Sequence, residues 1–183
     1  MGKRDINVAS SGAKWEKMVC APGASLSALL LKWVVERMFL GEYQHLIDDK
    51  SRLTIPAKFR EALAKGCVIT RGFEKNLIIY TTKEFGELIK RSHQMSATDP
   101  ESRDLKRFIF AGASEATPDK SWRVLISPAL RTHAALESEV YVIGVGQHIE
   151  VWSKPGWEEQ LVKMSDPEAN SRRFAALNLS TGA

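Results

Sequence analysis

Two short segments of the chain repeat one ordered set of chemically active side chains. Asp48-Asp49-Lys50-Ser51-Arg52 and Asp119-Lys120-Ser121-Trp122-Arg123 each place an aspartate four residues before an arginine. A guanidinium is a permanent cation whose fork matches phosphate oxygens or the O6 and N7 of guanine, and lysine adds a point charge for phosphate. A carboxylate cannot favour phosphate directly. Its useful task on such a turn is to accept backbone N–H groups and hold the arginine's direction, the role read for Asp48 and Asp119. The chemistry open to these turns is therefore recognition of a polyanion, with Arg52 as leading contact and Lys50 beside it. Arg71 and Lys75 on a later turn, and Lys58 and Arg60 on the helix after Pro56, are secondary candidates. The competing reading is an exposed Asp–Arg ion pair of little energetic weight; its duplication in a longer repeat argues against that.

Charge distribution narrows where an anion would dock. The 183 residues carry a net charge of +4 with a pI near 9.1. Residues 38–91 hold ten basic and seven acidic groups, whereas residues 112–163 hold five and seven. DNA is therefore expected against the first segment, and Arg123 and Trp122 stand only as a secondary contact or an interface. Arg60 and Arg131, matched arginines beside short apolar helices, read as braces of the fold.

Enzyme chemistry finds no foothold. Gly144-Val145-Gly146-Gln147-His148 lacks the third glycine of a dinucleotide loop and leads into a strand, so it reads as a hairpin turn. His45, His93, His133 and His148 lack zinc-ligand spacing, and there is no G-x-S-x-G nucleophile elbow. No cofactor and no metal is expected. Cys20 and Cys67 form no C-x-x-C pair, which fits a reducing, cytosolic setting without a disulfide framework. The most apolar stretch, Leu26 to Val35, is interrupted by Lys32 and is too short for a membrane span. No small-x-small cleavage site follows it, which disfavours a signal peptide. A composition of 44% hydrophobic and 26% charged residues excludes a disordered or fibrous chain.

The elements that must position the two turns follow from the rest of the repeat. Residues 42–85 align with 113–157: Ile55 lies over Ile126, Phe59 over Leu130 and Arg60 over Arg131. After a one-residue shift, Val68 lies over Val140, Gly72 over Gly144, Leu77 over Ile149, Ile79 over Val151, Tyr80 over Trp152 and Phe85 over Trp157. Each copy, of about 45 residues, is too small to bury a core alone, so the two should pack on each other. Each reads strand, turn, strand, short helix, strand, turn, strand, which makes the chain mainly β within the α+β class. Tyr43 to Ile47 and Arg52 to Ile55 have the grammar of a hairpin. Pro56 opens one short helix, and Ser127-Pro128 caps and opens the other. The linker, 86–112, is predicted to complete a helix over Lys83 to His93 and to start another at Thr98-Asp99-Pro100-Glu101, both covering the sheet. A last helix is predicted from Trp157, with Leu161 and Met164 on its apolar face, followed in 158–183 by a loose polar tail from Ser165. The five tryptophans read as packing residues.

Together these residues resemble the MraZ family. The resemblance rests on Met38-Phe39-Leu40-Gly41-Glu42-Tyr43, the Asp48-x-x-x-Arg52 turn into Leu53-Thr54-Ile55-Pro56, and Phe59-Arg60. The second turn, leading through Arg123 into Val124-Leu125-Ile126-Ser127-Pro128, and the run YVIGVGQHIEVW from Tyr141 to Trp152 complete it. It covers about residues 38–160. The resemblance implies two tandem AbrB-like swapped-hairpin half-barrels forming one pseudo-two-fold barrel with covering helices. It implies a transcriptional regulator of the bacterial division and cell-wall gene cluster, a ring homo-oligomer binding repeated G-rich boxes in double-stranded DNA upstream of its own operon. Cytoplasmic, nucleoid-associated action follows, with Asp48 and Arg52 the family's DNA-linked turn. Few cations per subunit argue for avidity, and the opposite charges of the two copies suit a head-to-tail ring. The alternatives are an oligomeric protein-interaction module at the division apparatus and an antidote-type AbrB-like protein. Three departures stand out: Ser51 and Trp122 occupy turn positions where the family usually has glycine, so the Trp122 turn is expected to open or to serve an interface. The third is an extension over residues 1–37, expected to be disordered or the result of a misassigned start codon.

Overall fold

The structure is a computed structural model that describes residues 38–175 and 177; the expected extension over 1–37 lies outside them. The order is β1 (Phe39–Leu46), β2 (Arg52–Thr54), a 3-10 turn (Ala57–Phe59) running into α1 (Arg60–Leu63), β3 (Cys67–Arg71) and β4 (Leu77–Thr81). Two helices follow, α2 (Thr82–His93) and α3 (Pro100–Phe110). The second copy then gives β5 (Ser114–Ala116), β6 (Arg123–Leu125), α4 (Pro128–His133), β7 (Glu139–Gly146) and β8 (Ile149–Ser153), and α5 (Lys154–Met164) and α6 (Pro167–Phe174) close the chain. The α+β, mainly β expectation and the strand-helix-strand order of each copy are met.

Pairing, however, runs between copies. One sheet has the order β1-β7-β8-β4-β3-β5, and β2 pairs with β6 in a separate two-stranded ribbon. The hairpin expected between Tyr43–Ile47 and Arg52–Ile55 is reduced to one antiparallel bridge, Ile47 to Leu53. β1 instead pairs with β7 of the other copy, and β5 reciprocally with β3. The register is two-fold about Leu53 opposite Val124 and about Ile78 opposite Glu150. Hydrogen bonding gives an open six-stranded order and a ribbon, not a closed barrel.

Interleaving follows from burial. Leu53, Ile55, Leu63, Ile69, Leu77 and Ile79 of one copy share a single core with Val124, Ile126, Val140, Ile149 and Val151 of the other, all at 0% exposure. Each such side chain contributes about 1.5–3 kcal/mol when removed from water, an amount neither copy could collect alone. β1 can lie against β7 because Gly144 stands opposite Gly41: a Cβ at Gly144 would sit 2.4 Å from the backbone of Phe39 and Leu40. The sheet's other face is covered by α2 and α3 over β3 and β4, and by α5 over β7 and β8. Thr81 and Ser153 cap α2 and α5 at matching places, and each helix buries its aromatic, Phe85 and Trp157. Thr70 donates from β3 to the Ile109 carbonyl of α3 at 2.6 Å, so the linker helices do cover the sheet.

Four local expectations are corrected. Cys67 and Ile69, not Val68 and Thr70, are equivalent to Val140 and Val142, because they face the shared core and occupy the same pairing positions against β5 and β1. The reason is a turn two residues longer after α4, between Ala134 and Val140, than between Leu63 and Cys67, followed by a hairpin one residue shorter. Strand side chains alternate faces, so a one-residue slip exchanges inside and outside. The cap of α3 is Asp99, not Thr98, since its carboxylate accepts the Ser102 N–H at 2.8 Å. α5 starts at Lys154, three residues before Trp157, and Leu161 and Met164 are 41% and 43% exposed. The tail after Ser165 is not loose throughout: Asp166 caps α6, which donates from the Asn170 side chain to the Met164 carbonyl at 2.6 Å.

Candidate nucleic-acid interface

The candidate interface is the β2–β6 ribbon. Leu53 and Val124 point into the core, so Arg52, Thr54, Arg123 and Leu125 alternate to the outside. Each strand is entered through an Asp-x-x-x-Arg turn. In the first, the Asp48 carboxylate accepts the N–H groups of Lys50 (3.0 Å) and Arg52 (2.8 Å) through Oδ1, and Arg52 Nε (2.8 Å) through Oδ2. The second repeats this with Asp119: Ser121 N at 2.8 Å, Arg123 N at 3.0 Å and Arg123 Nε at 3.0 Å. The aspartates thus hold their arginines in direction.

The turns also interlock. Ile126 N donates to Ser51 O and Ile55 N to Trp122 O, each at 2.8 Å, so each turn is hydrogen-bonded to the other copy. Arg52 NH1 lies 3.9 Å from Asp119 and Arg123 NH1 3.6 Å from Asp48, completing a four-charge cluster. The Arg52 hydrogen bond holds Asp48 below the usual carboxylate range, that of Arg123 does the same to Asp119, and Asp48 raises Arg52 above its ordinary value. Two carboxylates and two guanidiniums sum to zero charge. The Arg52 and Arg123 side chains remain 29% and 30% exposed, accessible from solvent while anchored.

Charge counted along the chain assigned DNA to the first copy, but ribbon pairing sets Arg123 beside Arg52 in an equivalent environment on one face. The Trp122 turn does not open: Trp122 has φ 59° against 60° for Ser51, and its N–H donates to Asp119 O at 2.8 Å. Its ring instead covers Arg60, whose Cζ is 5.9 Å from the ring centroid. Arg60 and Arg131 brace the fold: Arg60 Nε donates to Ile55 O, and Arg131 donates to Ser51 Oγ and to the carbonyls of Leu136 and Glu137.

The other candidates are scattered. Lys50 is exposed on the first turn, and Lys58 on the 3-10 turn beside Arg60. Arg71 packs its side chain over Gly112, at the end of the linker. Lys75, at φ 58° in the β3–β4 turn, lies near Glu159 of α5 and lowers its pKa, behind the larger effect of Lys163. Exposed Lys120, on the second turn, was missed because the charge count had set that copy aside; its place between Asp119 and Arg123 was the available signal. Burial pushes the Cys67 thiol up to about 11, which keeps it protonated and unreactive. Among the described residues no three His, Cys, Asp or Glu side chains converge on a metal position, and no helix is long and apolar enough to cross a membrane.

Fold and site together define an internally duplicated β protein whose copies exchange strands and present twin Asp–Arg turns on one ribbon. The model of the MraZ protein family, described as antitoxin-like, matches residues 38–108 and again 109–177. A transcriptional regulator MraZ from Herpetosiphon aurantiacus is 44% identical over 129 residues, covering 70% of this chain and 90% of the relative. One from Clavibacter michiganensis is 43% identical over 138 residues, 75% and 92% of the two chains, and one from Acetivibrio thermocellus 45% over 121 residues, 66% and 85%. The chain belongs to the MraZ family. That family is one of transcriptional regulators, not enzymes.

Proposed function

We propose that this chain is a sequence-specific DNA-binding transcriptional regulator that presents the β2–β6 ribbon to double-stranded DNA. The observation that carries the reading is the pair of buttressed arginines on one exposed two-stranded ribbon, a shape that the major groove admits. A guanidinium has five N–H groups. Asp48 and Asp119 take the Nε and NH2 edge of Arg52 and Arg123, so the remaining N–H groups of NH1 and NH2 are available for guanine or phosphate. Lys50 and Lys120 supply the cationic surplus that the neutral cluster lacks. Arg71, Lys75 and Lys58 become peripheral phosphate contacts at most.

Residues 42–85 and 113–157 act as one binding body, since each copy completes the other's sheet; this exchange supports the swapped-hairpin half-barrel reading. Residues 86–112 and α5 act as cover and not as contact. So few uncompensated cations per subunit favour a ring oligomer acting in the cytoplasm on the nucleoid. Its target is a set of repeated boxes upstream of its own operon in the division and cell-wall gene cluster, where linkage multiplies weak contacts. A band-shift titration on the DNA upstream of its gene tests this. Binding should weaken steeply with salt, and Arg52→Ala and Arg123→Ala should each weaken it tenfold or more. Unchanged binding in both variants would refute the assignment.

The antitoxin-like description of the family supports a second reading, an antidote-type protein whose neutral cluster meets a protein partner. Association with such a partner would persist at salt concentrations that release DNA.

A further inference from the structure

We propose that the hollow beside Ser51 is a socket for the Phe73 side chain of a second copy of this chain, joining subunits head to tail. The inference rests on the oligomer reading above and names its contact. The hollow, about 540 Å³, is lined by Ser51, Pro128, Arg131, Thr132, Leu136 and Glu137. It exists because the copies differ twice at one place. The turn after α4 is longer by two residues, which brings Leu136 and Glu137 to its wall, and serine replaces the tryptophan found at the equivalent turn position.

The other half of the molecule displays what fits. There the Trp122 ring lies over Arg60, the equivalent of Arg131. An aromatic ring over this arginine is thus a packing the fold already makes, and at Arg131 the equivalent turn position holds the Ser51 hydroxyl, at 2.9 Å from NH1, in place of a ring.

Phe73 is the ring suited to the role. At 71% it is the most exposed aromatic side chain among the described residues. One face stacks on Phe108 at 5.2 Å and 13°, while its turn is tied by Gly72 N to Asn76 O at 2.8 Å and by His133 Nε2 to Gly72 O at 3.0 Å. A projecting ring held in advance loses little freedom on docking, and buried aromatics dominate interface energy. Arg71, Glu74 and Lys75 around Phe73 carry one net positive charge, and exposed Glu137 at the hollow, beside Arg131, offers a carboxylate to it. Because projection and socket are different patches, the contact is heterologous, the type from which a ring is built when the rotation between subunits closes.

Light scattering on the DNA-free full chain at micromolar concentration tests the socket. Ser51→Trp fills it with the molecule's own solution at the same backbone angle, and Phe73→Ser removes the projection; each should raise the concentration needed for assembly at least tenfold. Chains carrying Phe73→Cys and Thr132→Cys, co-expressed in a Cys20→Ser background, should form a mixed disulfide under mild oxidation. Should Ser51→Trp fail to fold by circular dichroism, Phe73→Ser and the cross-link decide. Wild-type-sized assemblies in the folded variants, or a disulfide formed only between Phe73→Cys chains, overturn the socket and leave the oligomer reading standing. A monomeric wild type overturns both.

Discussion

At the first Asp–Arg turn the left-handed position holds Ser51, and at the second it holds Trp122, with φ of 60° and 59°. Both are L-residues where glycine is the undemanding choice, and each conformation costs about 1 kcal/mol. They adopt it because each carbonyl must reach an N–H in the other copy, Ser51 to Ile126 and Trp122 to Ile55. The backbone at these turns is therefore set by strand exchange, and the side chain is left open to vary. Variation has been used on the flanks: the Trp122 half is filled over Arg60, whereas the Ser51 half is hollow over Arg131. Identical charged centres thus sit within unlike surroundings.

The largest test of this comparison asks whether the halves are one thermodynamic body. Leu53→Ala, at the two-fold position of the ribbon, should cost about 2–5 kcal/mol and Val124→Ala less, because less volume is removed. Urea melts of either variant should keep a single transition, and two phases would mean that the copies fold separately. Next comes the difference between the arginine braces. Arg131→Ala, which strips bonds to Ser51, Leu136 and Glu137, should cost about 2 kcal/mol, and Arg60→Ala, with one carbonyl bond and a ring contact, about 1. Equal costs would show that the Trp122 ring fully substitutes for the polar contacts.

A third pair of variants should differ in sign. Ala135, after α4, has φ 48°, while its equivalent Ala64, after α1, has φ −58°. Ala135→Gly should stabilise by about 0.5 kcal/mol and Ala64→Gly destabilise by about as much, read as opposite shifts in melting temperature. The smallest effect concerns acid. Asp48 and Asp119 have lowered pKa values in the folded chain, so the unfolded chain binds protons first as pH falls. Their stabilisation is complete above the ordinary carboxylate pKa of about 3.9 and is lost as pH drops through the lower folded-state values. Asp48→Asn and Asp119→Asn should each flatten the fall of stability below about pH 4, and to similar extents, since the centres are equivalent.

Much of this was legible along the chain. The Ser127-Pro128 start of α4, the buried Phe85 and Trp157, and the Asp48 and Asp119 bonds to their own turns are local and follow from residue type and spacing. The slip at β3 was not, because Val68 is buried as well, at 3%, beneath the covering helices. Where both faces of a strand are covered, hydrophobicity no longer marks the core side. α6 went unseen because it has no buried residue and rests on its cap and on contacts with α5. The place of Arg123 beside Arg52 could not be read from charge summed along the chain, because strand exchange does not respect that order.

The sequence by itself determined the duplicated elements, the aspartate that aims each arginine and the family to which the chain belongs. These depend on contacts within a few residues, or on a pattern repeated as a unit. Only the tertiary structure decided that Arg52 and Arg123 share one face, that their charges cancel against two aspartates, and that one half keeps a hollow where the other has a ring. Those outcomes depend on which strands pair across the two-fold axis and on a two-residue difference in turn length, and neither is expressed in the periodicity of any single segment.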